Sequence, residues 1–193
     1  KTGEALHTCR ESCRSYMNNY ANYTVSMGQS ERSTDVAQIG VLLQQAERAE
    51  CRKLFEGSGM CLKYQAEERP DTARKAWQDK VRTLLEKGME PMQKTALQQA
   101  VDAIFDRAGA AGLAAWEYFD TADQCLRDFC AWSLGHGMEI RQDWADSKRE
   151  EVRSAASVHQ LAQWLAATLC AKQEELYTQR VHAEEYPIRL AIE

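Results

Sequence analysis

The chain has 193 residues, 44% of them hydrophobic and 27% charged, with 24 basic against 29 acidic side chains and a formal net charge of −5. This composition excludes a disordered chain, and the acidic balance disfavours non-specific nucleic-acid binding, which needs a positive surface. Three prolines and ten glycines leave few breaks, and Ala, Gln, Glu, Arg and Leu all favour helix.

The expected fold is therefore all-α: a mostly antiparallel bundle of five to seven helices, stapled by disulfides. A single domain over 1–186 and an extended tail over 187–193 are the expected division. A first helix runs from Gly3 to about Tyr23, with Leu6, Cys9, Cys13, Tyr16, Met17 and Tyr20 as its apolar stripe. Asn22-Tyr23-Thr24 fits the glycosylation sequon, which makes Asn22 a candidate acceptor. Ser26–Thr34 reads as a loop. Asp35 caps a second helix, paired with Gln38 in a capping box, and the inner face is expected to carry Val36, Ile39, Leu43, Ala46, Leu54 and Phe55. Gly57-Ser58-Gly59 stops it.

Pro70 opens a third helix striped with Ala73, Trp77, Val81, Leu84 and Leu85, and Pro91 opens a fourth carrying Leu97, Val101, Ile104 and Phe105. Gly109–Gly112 either separates two helices or kinks one. The stretch Gly112–Leu134 that follows has Leu113, Trp116, Phe119, Ala122, Leu126, Phe129 and Cys130 at helical spacing and reads as a core helix. Its acids, Glu117, Asp120, Asp123 and Asp128, are assigned to a solvated face. Glu139–Ala156 reads as a charged helix with sparse apolar points. Ser157 caps the last helix, Val158 to about Glu185. After Pro187, Ile188, Leu190 and Ile192 alternate with polar or small residues, the period of an extended strap or a partner-binding strand.

Seven cysteines are the most informative total: Cys9, Cys13, Cys51, Cys61, Cys125, Cys130 and Cys170. The number is high for a reducing compartment, so the first six are disulfide candidates and the expected setting is secreted, periplasmic or cell-surface, with a cytosolic protein of reduced thiols as the alternative. Cys9 and Cys13, one turn apart on one continuous helix, hold their sulfurs apart and are better placed to bond a neighbouring helix. The chain starts at Lys1, so a removed leader would leave no trace. No apolar run is long enough to span a bilayer.

Motifs for chemistry are missing from the sequence. Glu4-Ala-Leu-His7 is one half of a di-iron pattern without its second half, and His7, Cys9 and Cys13 make an irregular metal set. No nucleophile elbow, phosphate loop or dinucleotide fingerprint occurs. The expectation is therefore a protein with no catalytic, cofactor or metal site: a non-enzymatic module, receptor-like or surface-antigen-like, that binds another protein. A periplasmic immunity or inhibitor protein and a cytosolic helical adaptor are the alternatives.

Overall fold

A computed structural model describes residues 2–66, 70–90, 93–141 and 143–190. The protein is mostly helical, in line with the all-α expectation. By its contacts it divides into two compact units, where the sequence was read as one domain. The first comprises 1–68 with 114–116, and the second 69–113 with 117–193.

In the first unit, helix α1 spans Thr2–Tyr20. It ends in a left-handed cap: the amides of Ala21 and Tyr23 both donate to the Met17 carbonyl, and Asn22 sits at φ 55°. Asparagine is one of the few side chains that tolerates this conformation, which gives Asn22 a structural reason beside the sequon. Strand β1 (Met27–Gln29) follows, then a 3-10 turn (Val36–Gln38), helix α2 (Ile39–Cys51), the single turn α3 (Lys53–Glu56) and strand β2 (Cys61–Lys63). The strands pair in parallel, Met27 opposite Cys61 and Gln29 opposite Lys63. Parallel strands need a crossover between them, and α2 and α3 supply it. Both strands fall in stretches that the sequence reading left without regular structure.

The second unit holds α4 (Asp71–Met89), α5 (Lys94–Ala110), most of α6 (Ala115–Gly135), the short turns α7 (Trp144–Ser147) and α8 (Arg149–Arg153), and α9 (Val158–Leu190). Gly112, at φ 63°, settles the question of the Gly109–Gly112 segment, since the left-handed residue separates α5 from α6. The core gathers Trp77, Val81 and Leu85 of α4, Leu97, Val101 and Ile104 of α5, Phe119, Leu126 and Phe129 of α6, and Leu161, Leu165 and Leu169 of α9. Each set recurs at three-, four- or seven-residue steps, and on α4, α5 and α6 the expected stripes are the ones turned to the core.

Several expectations are corrected. All seven cysteines are free thiols, so none of Cys9, Cys13, Cys51, Cys61, Cys125 and Cys130 staples the fold. Cys51, Cys125, Cys130 and Cys170 instead serve as small buried core residues, a role cysteine fills well. The charged segment Glu139–Ala156 is not one helix. Met138 and Ile140 are buried outside any helix, and the chain resumes as two short turns. Helix α9 continues through Pro187 to Leu190, where an extended course was expected. The side chains of Ile188 and Leu190, and all of Ile192, lie outside the described residues.

Candidate functional site

The first unit presents an apolar surface that its own fold does not use. Asp35 caps the 3-10 turn, its carboxylate accepting from the Ala37 amide at 2.9 Å. From there Val36, Ile39 and Leu43 follow at helical steps and stand 81%, 69% and 61% exposed. Gly40, on the same side, has open space around it. Val41 and Phe55 add exposed apolar area. Of the inner face expected from the sequence, Val36, Ile39, Leu43 and Phe55 stand outward, while Leu54 is buried and Ala46 half-buried.

The inversion has a local cause. The covered side of α2 is made by Leu42, Ala46 and Ala49, whereas Val36, Ile39 and Leu43 lie nearer its N-terminal end, before and beside that set. Strand β1 lies so close to the helix that a Cβ placed on Gly28 would stand 1.7 Å from the Ala46 carbonyl oxygen and 2.8 Å from the Glu50 amide nitrogen. Only a face built from alanine admits a strand backbone at that distance, so Ala46 and Ala49 turn inward and the bulky set turns out. Transfer of Val36, Ile39 and Leu43 from their present exposure into a partner is worth about 1 to 2 kcal/mol each by apolar-area bookkeeping. An exposed stripe of that size marks an interaction surface more often than an idle one.

Two arginines mark the C-terminal end of α2. The Arg48 guanidinium lies 4.4 Å from the ring centre of Trp116, a cation–π contact. Arg52 donates to the Lys63 carbonyl at 3.1 Å and pairs with Glu56. With Tyr64 and Gln65 these residues line a shallow cleft. Both arginines are engaged within the unit, so the cleft reads as a clasp between α2 and the end of β2.

The second unit has a groove of about 390 Å³ walled by Trp144 and Trp164, floored by Ala167 and Ala171, and edged by Lys148 and Lys172. Each lysine is paired in place, Lys148 with Glu151 at 2.7 Å and Lys172 with Glu175 at 2.8 Å. The Lys148 ammonium holds the Glu151 carboxyl below its ordinary range. The positive charge of the rim is thus spent locally.

Of the four acids of α6 assigned to a solvated face, Asp120 is exposed, Asp123 and Asp128 are half-buried and Glu117 is buried. Glu117 is buried, its carboxylate 4.0 Å from Arg74. Asp123 lies 3.9 Å from Arg149, and Asp128 lies 3.7 Å from Arg82. Burial pushes the Asp123 carboxyl upward against the pull of Arg153, Arg149 and Arg127. Burial likewise raises the thiols of Cys125, Cys130 and Cys170, which lowers their nucleophilicity at neutral pH. Among the described residues no three His, Cys, Asp or Glu side chains converge as a metal set, and no helix is long and apolar enough to cross a membrane. No protein-family model, curated protein or solved structure matches the chain.

Proposed function

We propose that the chain is a non-enzymatic protein-binding module and that its contact surface is the outward stripe of α2, Val36, Ile39 and Leu43. The observation that supports this reading is the exposure of three large aliphatic side chains on a helix whose alternative face is committed to the strands. Such a helix meets a partner as a ridge of i, i+3 and i+7 anchors laid into an apolar groove. An exported or cell-surface setting belongs to the same reading and is supported by the number of cysteines alone, since seven free thiols favour neither compartment.

The test compares the full chain with its Leu43→Asp variant as baits in the native source. Leu43 is exposed, so the substitution should leave the melting temperature within a degree or two of wild type. A protein retained by the wild-type chain and lost from the variant is the expected result. An identical set of retained proteins from both baits overturns the assignment of the surface.

A further inference from the structure

Helix α1 presents a second outward seam, with a different chemistry. Cys9, Cys13, Tyr16 and Tyr20 are all exposed, the two tyrosines at 62% and 80%. Their rings lie 5.0 Å apart along the helix. The steps are four, three and four residues, and Leu6 extends the series by a further three in the sequence. Alternating three- and four-residue steps are the a/d repeat of a coiled-coil seam, with Leu6, Cys13 and Tyr20 at a and Cys9 and Tyr16 at d. The helix is held to its own unit from another side: Arg10 donates to the Gln29 side chain, Arg14 donates to the Gly59 carbonyl at 2.9 Å, and Met17 is half-buried. These ties leave the seam outward.

We propose that α1 is a self-association helix, pairing in parallel with α1 of a second copy of this chain, and that the pair is locked by intermolecular disulfides at Cys9 and Cys13. A second copy is the occupant that the residues select. In a parallel pair each a or d residue faces its own counterpart, so a thiol meets a thiol at two successive layers and tyrosine meets tyrosine at the next two. An unrelated apolar helix would cover the tyrosines but would offer the thiols nothing. The g positions that flank the seam are Ser12 and Asn19, and the e positions on its other edge, Arg10 and Met17, are the ones turned to the helix's own unit. No like charges oppose each other across them.

The dimensions agree. Helix axes packed about 8–10 Å apart, each with a Cα radius of about 2.3 Å, bring directly facing Cα atoms to roughly 3.4–5.4 Å, which overlaps the lower part of the disulfide range of about 4.4–6.8 Å. Within one helix the same two cysteines cannot meet this way. A single helix of 19 residues offers less than the roughly 800 Å² per partner of a stable interface. The non-covalent pair is therefore weak, and the covalent bond is what makes it persist.

The oxidant is a low-molecular-weight disulfide such as oxidised glutathione. One Cys13 thiolate attacks it, forming a mixed disulfide and releasing one glutathione thiolate. The partner copy's Cys13 thiolate then attacks the protein sulfur, forming the protein–protein bond and releasing the second. Two protein thiols are oxidised for one glutathione disulfide reduced, and each released thiolate takes up one of the two protons lost. Cys9 follows the same exchange.

The test incubates the reduced full chain with oxidised glutathione and resolves it by non-reducing electrophoresis and peptide mass. Trypsin places Cys9 on Thr2–Arg10 and Cys13 on Glu11–Arg14, so connectivity is legible. A covalent dimer containing Cys9–Cys9 and Cys13–Cys13 links is expected, absent from the Cys9→Ser/Cys13→Ser variant. Tyr16→Glu keeps both thiols but faces two carboxylates across the seam, and should form the dimer about tenfold more slowly or worse. Leu43→Asp should dimerise like wild type, which separates this seam from the α2 stripe. A monomer glutathionylated at both sites, a Cys9–Cys13 link, a dimer in the double serine variant, equal rates for Tyr16→Glu and wild type, or loss of the dimer in Leu43→Asp each overturn the proposal.

Discussion

The close approach of β1 to α2 makes a sharp demand on one residue. In Gly28→Ala the added Cβ would stand 1.7 Å from the Ala46 carbonyl oxygen and 2.7 Å from its carbon. These are backbone atoms of a helix and cannot turn aside. To reach an ordinary contact of 3.4 Å the strand must withdraw by almost 2 Å, the better part of a carbon–carbon contact distance. A withdrawal of that size opens the Ala46–Ala49 packing or strains the pairing with β2. Forced overpacking costs about 1–3 kcal/mol and more where the obstruction is rigid, so a loss of about 3 kcal/mol or more is expected. Gly40→Ala is the control. Its Cβ meets nothing within 4 Å, the site is an exposed helix position, and alanine there should stabilise by up to about 1 kcal/mol. Urea unfolding followed by circular dichroism measures both. Opposite signs support the packing argument. A Gly28→Ala chain within about 0.5 kcal/mol of wild type, the usual spread for an inert surface change, would refute the account of why α2 faces as it does.

In monomeric protein never exposed to reductant, seven thiols should titrate in denaturant. Under native conditions Cys9 and Cys13 should react first, Cys61 next, and the buried Cys51, Cys125, Cys130 and Cys170 only on unfolding; fewer than seven in denaturant would restore the staples. Thr121→Val removes the hydroxyl that accepts from the Trp77 indole N–H at 3.0 Å and donates to the Glu117 carbonyl at 2.7 Å. Leaving that indole buried without an acceptor should cost about 1–3 kcal/mol in urea unfolding, and a neutral result would show that water replaces the hydroxyl. Asp123→Asn should raise the melting temperature at neutral pH. Burial lifts the native carboxyl above the ordinary carboxylate range, so the wild-type side chain favours the fold when protonated and loses that contribution as pH rises through the native pKa. The gain should close as pH falls toward the unfolded value; a gain independent of pH would assign the effect to something other than this carboxyl.

The second unit was largely legible in the sequence because its helices each carry one dominant apolar stripe. Trp77, Val81 and Leu85 have no rival face on α4, and Phe119, Leu126 and Phe129 have none on α6, so period alone settles which side is inward. On α2 the expected stripe is split along its length, with Leu54 and part of Ala46 covered and Val36, Ile39 and Leu43 not, and period cannot show where along a stripe the cover ends. That is set by Gly28, a contact distant in sequence that becomes decisive only once β1 lies against the helix. Three-residue strands are too short to show an alternating pattern, which is why Met27–Gln29 and Cys61–Lys63 passed as loop. The burial of Glu117 was hidden for a related reason: Arg74 on another helix supplies the charge that makes it tolerable, and a single-helix pattern contains no such partner.

The cysteine count leads to an expectation of staples that the fold does not show, and the placement of the thiols explains why. A rule that counts cysteines cannot separate four that fill core volume from two that stand on an open seam, and here both kinds occur. The division cuts across the two units, since Cys51 is buried in the first as Cys125, Cys130 and Cys170 are in the second. Among the described residues the buried apolar side chains of the first unit are Ala49, Cys51, Leu54, Leu62 and Ala115, two leucines and three small residues. A segment of about this length is marginal even with a full core, because so small a body buries too little of its surface. Its larger apolar side chains, Val36, Ile39, Leu43, Tyr16 and Tyr20, are instead on the outside. The surface that would have stabilised this unit from within is offered to partners from without. Occupation of either seam should therefore raise the stability of the first unit, in proportion to how tightly the partner is held.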